Sequence, residues 1–281
     1  MHIIADSGSS KTEWVLCDKN RVTKKIETIG FNPYYYASHV LEEIIHTNLQ
    51  PIIRDNPVSD IYFYGSGCST ENNQNIIINA LRPCFQNSKI HIYHDLIGAA
   101  RSLFGNEAGI AGILGTGSNS CVYDGTNITH NIPSLGYFFG DEGSGSNIGK
   151  RFINNYLKGD LPDSLKKDFD NHFAYSFEYI LNQIYSNECP VKFFASFNPY
   201  IKDHIKSKYY KDLVYSSFSD FFRLNICKYT DYQKLPIKFI GSIAYIFSDI
   251  LKEVASTYGV IIQGIDKNPM EGLIKFHSTS E

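Results

Sequence analysis

One local pattern occurs twice in this sequence: a strand, a tip of small residues and a second strand. Strand-like runs at residues 2–5 and 13–17 flank the first tip at 6–12, and residues 111–124 repeat the pattern with a tip at 115–119. Apolar runs on either side of Gly, Ser and Thr residues are typical of β-hairpins. Because similar hairpins open two halves about one domain apart, we predict a duplicated fold around a central cleft.

Strands and helices alternate through both halves, which indicates an α/β protein. Hydrophobic periodicity predicts strands at 60–64, 89–94, 237–240 and 260–262 and helices at 40–49, 76–81, 98–103 and 243–254. From about Ile148 to Gln233 the chain is aromatic and helical, and residues 173, 177, 180, 181 and 184 fit one face that we interpret as core. The predicted domains are residues 1–105 and residues 106–281. The second carries a helical insertion, and its last helix is expected to pack back on the first domain.

Composition and charge exclude several classes of protein. The 26 Lys and Arg residues nearly balance 29 Asp and Glu residues, so a nucleic-acid partner is not expected. No apolar run is long enough for a membrane helix and no signal peptide is evident, so we expect a cytoplasmic protein without membrane contact. The 6 cysteines form no CxxC pair, which argues against a zinc or redox site.

Common nucleotide-binding fingerprints are absent. Residues 144–151 fail the GxxxxGK[ST] pattern, and no GxGxxG sequence occurs. The two hairpin tips offer another cradle, because small residues let backbone N–H groups and hydroxyls approach phosphate oxygens closely. Each tip alone could be an ordinary turn, but two matching tips favour a phosphate site.

Asp95 follows a predicted strand, at the sheet edge where α/β proteins usually bind ligands. A carboxylate there can accept a proton from a substrate hydroxyl. The alternative is an N-cap for the following helix. His91 and His94 are three residues apart on a strand, which predicts opposite faces and argues against a metal pair.

Residues 135–149 form the least generic stretch, with 5 glycines close to Asp141 and Glu142. Glycine permits a backbone wrapped tightly around a ligand, and the two acids could bind hydroxyls or a hydrated metal. A flexible loop is the alternative.

Together these motifs resemble a known family. The resemblance rests on the segments 6–12 (DSGSSKT), 112–119, 140–144 (GDEGS) and 241–244 (GSIA), with Asp95-x-x-Gly-Ala between the first two. This set is similar to the BadF/BadG/BcrA/BcrD ATPase family and, within it, to the N-acetylglucosamine kinases. The likeness spans nearly the whole chain. It implies two ribonuclease-H-like domains of the actin, sugar kinase and Hsp70 type, with ATP between them.

The resemblance also implies roles for single residues. Asp6 would hold Mg²⁺ through water, and Asp95 would be the catalytic base. ATP would be bound by Gly8, Ser9, Ser10, Lys11, Thr12, Gly115, Thr116, Gly117, Ser118, Gly241 and Ser242. The sugar would be bound by Asn32, Ser66, Asp95, Asn119 and Asp141. A homodimer is implied by family analogy alone.

The sequence therefore predicts an ATP-dependent kinase for the 6-hydroxyl of N-acetylglucosamine or a close relative. The identity of the sugar stays open, because Ser10 stands where relatives often have Thr and the stretch after Ile148 aligns with no substrate-specific motif. One alternative is a regulatory ATPase of the 2-hydroxyacyl-CoA dehydratase activator type, although this chain lacks the cysteines that bind the activators' iron-sulfur cluster. A sugar sensor without catalysis is the other.

Overall fold

The computed structural model describes residues 1–8, 11–18, 21–34, 36–53, 57–186 and 190–278. In this part of the chain the strands form two five-stranded sheets. The first sheet contains β1 (His2–Ser7), β2 (Lys11–Asp18), β3 (Arg21–Ile29), β4 (Asp60–Gly65) and β5 (Lys89–His94). Their order is β3-β2-β1-β4-β5. The pairs β1–β2 and β2–β3 are antiparallel, whereas β4 runs parallel to both β1 and β5.

The second sheet repeats this topology. It contains β6 (Gly109–Leu114), β7 (Ser118–Tyr123), β8 (Ile128–Asn131), β9 (Ile237–Ile240) and β10 (Ile262–Asp266). The order β8-β7-β6-β9-β10 matches that of the first sheet, strand for strand. The predicted duplicated α/β fold is therefore confirmed.

Helices connect and cover the strands. They are α1 (Ser38–Asn48), α2 (Gln50–Ile53), α3 (Glu71–Leu81), α4 (Asp95–Phe104), α5 (Gly136–Phe139), α6 (Gly145–Lys158), α7 (Asp163–Phe173), α8 (Phe177–Tyr185), α9 (Pro190–Ala195), α10 (Asn198–Asp203), α11 (Lys208–Leu224), α12 (Ser242–Ile246), α13 (Ser248–Thr257) and α14 (Met270–Ser278). None of these described helices has the length and apolarity needed to cross a bilayer.

Three predicted elements differ from the structure. The helix expected over 243–254 is broken at Phe247, where α12 ends and α13 begins. The strand expected at 260–262 begins only at Ile262 and continues to Asp266. The predicted aromatic face falls on two helices, because Ala174 adopts a left-handed conformation that ends α7 and Ser176 caps α8. Phe177 is 63% exposed as a result and does not belong to the core.

Contacts divide the chain into two compact units. The first contains residues 1–111, 123–129 and the segment from Asn268 onward, and the second contains residues 112–122 and 130–267. In the first unit β1 alternates, so that Ile3 contributes to one apolar cluster and Ile4 to another. The cluster around Ile4 includes Leu273 of α14, which also packs against α4.

Candidate active site

The first hairpin tip is closed by its own backbone. Gly8 N–H donates to the Lys11 carbonyl at 3.0 Å. The Ser7 and Thr12 hydroxyls lie 2.7 Å apart, both fully buried, and Thr12 also donates to the Ile29 carbonyl. The predicted phosphate ligands Ser9 and Ser10 lie outside the described residues.

Lys11, also predicted at this tip, has a partner on the neighbouring strand. Its ammonium group donates to Glu27 at 2.7 Å, and both side chains are mostly exposed. Exposed pairs of this kind contribute only about 0 to 1 kcal/mol. The Lys11 side chain is therefore held weakly enough to exchange Glu27 for an anionic ligand.

Asp6 lies half-buried near the end of β1. Burial and the carboxylates of Asp95 and Glu13 raise the pKa of Asp6 to about 7, although Lys11 opposes the shift. Burial is the largest cause of this shift, and the two neighbouring carboxylates add repulsion to it. A cation would relieve that repulsion.

Asp95 is the first residue of α4, directly after β5. Ser66 follows β4 and donates its hydroxyl to Asp95 Oδ2 at 2.8 Å. Ser66 N–H in turn donates to the Ser7 carbonyl at 2.9 Å, which ties it to β1. The carboxyl ends of three neighbouring parallel strands thus place Asp6, Ser66 and Asp95 together, as expected for a ligand site of an α/β sheet.

The helix cap is His94, not Asp95. His94 Nδ1 accepts from Leu96 N–H at 3.3 Å and also lies 3.2 Å from Asp95 Oδ1. The alternative function of Asp95 as an N-cap is therefore wrong, and its carboxylate remains available at the sheet edge. His91 pairs with Asp60 at 3.2 Å.

Asn32 lies beside the same turn. Its Oδ1 accepts from Tyr34 N–H at 3.0 Å. Gly67 has φ +79°, and a Cβ there would lie 2.5 Å from Asn32 Oδ1. The structure thus brings three of the predicted sugar contacts, Asn32, Ser66 and Asp95, to one turn of the first unit.

The second tip is held by the start of α6. Gly145 N–H donates to the Gly115 carbonyl at 2.8 Å, and Ser146 N–H donates to the Thr116 carbonyl at 3.0 Å. Gly115 N–H donates to the Gly117 carbonyl at 2.9 Å within the tip. These bonds, which the sequence pattern did not predict, fix the tip through its carbonyl groups.

Asp141 lies directly against this tip. It is buried, has φ +56°, and its Oδ1 accepts from Ser118 N–H at 3.0 Å. Both carboxylate oxygens would be 3.2 Å from a Cβ at Gly117, so that position accommodates only glycine comfortably. Burial raises the pKa of Asp141 to about 6, against the effect of the Ser118 N–H bond.

Asn119 lies one residue beyond the Asp141 contact. Its Oδ1 accepts from Ser120 N–H and from Asn131 Nδ2, each at 2.9 Å. The remaining two predicted sugar contacts, Asn119 and Asp141, therefore lie at one tip of the second unit.

Gly241 and Ser242, which the resemblance assigns to ATP binding, lie next to the same tip. Gly241 has φ +124°, and a Cβ there would overlap the Leu114 carbonyl and approach Gly115 N. Its N–H donates to the Asp266 carbonyl at 3.0 Å, and Ser242 begins α12. Glycine is required here both by the backbone conformation and by the close approach of β6.

The residues present fit a hydrated Mg²⁺. Mg²⁺ usually keeps several waters and binds one or two carboxylates together with substrate phosphates. Among the described residues, no three His, Cys, Asp or Glu side chains converge on one point. Asp6 supplies a single carboxylate in a region of excess negative charge, which suits a cation bound through water.

Comparisons with known proteins identify solved structures that are similar to this chain. No protein-family model matches the chain, and no curated protein matches it. The solved structure of a candidate N-acetylglucosamine kinase from Porphyromonas gingivalis is 35% identical, with 99% of both chains covered and a TM-score of 0.94. A second candidate N-acetylglucosamine kinase, from Chromobacterium violaceum, is 16% identical with a TM-score of 0.76, covering 98% of this chain and 99% of that one.

A ROK family glucokinase from Streptomyces griseus, solved with glucose and AMPPNP, shares the fold alone, at 10% identity and a TM-score of 0.57. The match covers 98% of this chain and 97% of that one. The duplicated sheets and their two hairpins define an actin-like ATPase fold. At 35% identity over the full length of a relative, the chain belongs to the sugar kinases of that superfamily.

Proposed function

We propose that the protein is an ATP-dependent amino-sugar kinase of the BadF/BadG/BcrA/BcrD family that phosphorylates the 6-hydroxyl of N-acetylglucosamine. The observation that carries the proposal is the Asp95 carboxylate, which is oriented by Ser66 and lies at the sheet edge beside Asn32. The similar protein from Porphyromonas gingivalis, a candidate N-acetylglucosamine kinase, supports the choice of sugar.

In this mechanism Asp95 takes the proton of the sugar hydroxyl as that oxygen attacks the γ-phosphorus of ATP in line. The Ser66 hydroxyl donates to Oδ2, which fixes the plane of the carboxylate. Phosphoryl transfer requires little covalent help from a protein, so positioning and electrostatics supply most of the rate. A general base contributes about 10² to 10⁴-fold.

The hairpin tips would bind the phosphates. Gly8 and Gly115 present no side chain and have open space beside them, so an anion can approach their backbone closely. Mg²⁺, when bound through water to Asp6, would neutralise phosphate charge. Asn32, Ser66, Asn119 and Asp141, the residues that the family resemblance assigns to the sugar, would bind its hydroxyls and acetamido group.

The Asp95→Asn variant tests the base. We expect turnover to fall by about 10² to 10⁴-fold, because the amide cannot take up a proton, while ATP and sugar still bind in calorimetry. Asp60→Asn is the matched control, since Asp60 is another half-buried carboxylate of this sheet with a histidine partner. Turnover of Asp95→Asn close to that of the wild type would contradict the mechanism.

A substrate panel tests the sugar. ADP release should be stimulated most by N-acetylglucosamine among N-acetylglucosamine, glucosamine, N-acetylmannosamine, muramic acid and glucose. Another preferred sugar would correct the substrate but keep the kinase. Hydrolysis independent of every sugar would favour a regulatory ATPase instead.

A further inference from the structure

His94 lies at the junction of β5 and α4 with one nitrogen facing two groups. Its Nδ1 is 3.3 Å from Leu96 N–H and 3.2 Å from Asp95 Oδ1. The side chains of His94 and Asp95 are 28% and 27% exposed, so water reaches both. Asp95 Oδ2 is already occupied by the Ser66 hydroxyl.

The bond from Leu96 assigns the proton on the imidazole ring. An amide N–H can donate only to a lone pair, so Nδ1 carries the lone pair and the proton of the neutral ring is on Nε2. An ionised Asp95 also has only lone pairs at Oδ1. Two acceptors then face each other at 3.2 Å, and this contact becomes a hydrogen bond only when a proton lies between them.

Such a proton arrives during the proposed reaction. The kinase step breaks the O–H bond of the sugar and forms an O–H bond on Asp95. His94 Nδ1 is then the neighbouring lone pair that can accept it. The contact between the two side chains therefore becomes a hydrogen bond in the protonated state that the reaction forms.

We propose that His94 relays the proton that Asp95 removes from the sugar hydroxyl. This inference rests on the proposed function. The Oδ1–H bond of Asp95 breaks as the Nδ1–H bond forms, Nε2–H releases its proton to water, and exchange with water later returns the ring to the Nε2–H tautomer. Asp95 regains its negative charge, and one proton has moved from sugar to solvent.

Helix capping favours the return of His94 to the Nε2–H tautomer. While Nδ1 carries a proton, Leu96 N–H has lost its acceptor, and a lost N-cap destabilises the start of a helix. The return of the ring to the Nε2–H tautomer restores this acceptor. His94 acts on the reaction through Asp95 and does not need to touch the sugar.

Capping alone is the competing explanation, and two variants separate it from a relay. His94→Asn keeps an oxygen that can accept from Leu96 N–H but has no basic nitrogen. His94→Gly also suits an N-cap and leaves space for a free imidazole. Thr70→Gly, which removes the side-chain cap of α3, is the matched capping control.

Steady-state kinetics with N-acetylglucosamine and ATP test the relay. We expect kcat of His94→Asn to fall at least about 10-fold, part of the about 10² to 10⁴-fold general-base contribution, with KM values unchanged. Thr70→Gly should keep the wild-type kcat. Added imidazole should raise kcat of His94→Gly in a concentration-dependent way and leave the wild type and Asp95→Asn unaffected.

The possible outcomes separate this inference from the function itself. If Asp95→Asn is inactive but His94→Asn has the wild-type kcat, the relay is wrong and the kinase stands. A His94→Gly enzyme that folds, with the emission of Trp14 unchanged, but gains nothing from imidazole also overturns the relay. If Asp95→Asn keeps its activity, both proposals fail.

Discussion

His277 should make the first unit acid-sensitive. This residue is 8% exposed in the last turn of α14, and its ring stacks on Tyr62 with centroids 3.9 Å apart. Arg101 donates to the Tyr64 hydroxyl at 3.1 Å, which leaves the Tyr64 O–H to donate to His277 Nε2 at 2.9 Å. Burial and the positive charge of Arg101 lower the pKa of His277 to about 3.

The lowered pKa gives the sign and size of the effect. The native state holds His277 neutral, whereas the unfolded chain protonates it below a pKa of 6.5. Acid therefore favours unfolding, and this contribution to stability is lost as the pH falls from 6.5 towards 3. Each pH unit is worth about 1.36 kcal/mol, so the loss is about 3 kcal/mol at about pH 4.5 and approaches about 5 kcal/mol in full.

Urea unfolding of the wild type and of His277→Gln measures this loss of stability in acid. Trp14, the only tryptophan, is fully buried in β2, so its fluorescence reports on the first unit. At pH 7.5 the variant should be less stable by about 0.5 to 1.5 kcal/mol, because the aromatic stack with Tyr62 is lost. At about pH 4.5 the order should reverse, since the variant has no buried imidazole to protonate.

An exposed histidine supplies the control. His46 lies in the last turn of α1, and His46→Gln should follow the wild type at every pH. Stability curves for the wild type and His277→Gln that stay parallel between pH 7.5 and about pH 4.5 would refute the reasoning.

Three further predictions concern the site. Gly241→Ala should destabilise the second unit by at least about 2 kcal/mol in thermal unfolding, because its positive φ and the Leu114 carbonyl both exclude a methyl group, whereas Gly159→Ala, with open space, should cost about 1 kcal/mol. Equal costs would contradict this. Burial raises the pKa of Asp6 to about 7, so the stability that protonated Asp6 contributes is lost as the pH rises from about 4 to about 7. Asp6→Asn should therefore stabilise the nucleotide-free protein at pH 8 by up to about 4 kcal/mol while impairing turnover. The control Asp18→Asn, at an exposed position, should change neither stability nor turnover. Since burial raises the pKa of Asp141 to about 6, the KM for sugar should rise below that pH in the wild type, and a pH-independent KM would count against Asp141 as a sugar ligand.

Much of the fold follows from local sequence, but the edges of the sheets do not. The strands β1 and β6 each contain a short buried apolar run, and small residues follow each strand. Both hairpins could therefore be predicted. The third strand, β3, could not be, because Lys24, Lys25 and Glu27 are exposed on an edge. β3 is held by its backbone pairing with β2, and its side chains show no hydrophobic alternation that would reveal a strand.

The arrangement of the candidate site could likewise be predicted only in part. That Asp6, Ser66 and Asp95 come together could be expected, since all three end parallel strands of one sheet. The N-cap of α4 could not be predicted in the same way. Whether His94 or Asp95 is the cap depends on where α4 begins, to within one residue. Likewise, the bonds from Gly145 and Ser146 to the second tip join segments that no local pattern connects.

The path of the chain has a consequence for biosynthesis. One apolar face of the first unit, with Ile4, Val15 and Tyr64, is covered by Met270 and Leu273 of α14. At about 5 to 20 residues per second, a ribosome needs roughly 10 to 40 s to travel from Tyr64 to Met270. The apolar face of Ile4, Val15 and Tyr64 thus stays uncovered on the nascent chain until α14 has been synthesised.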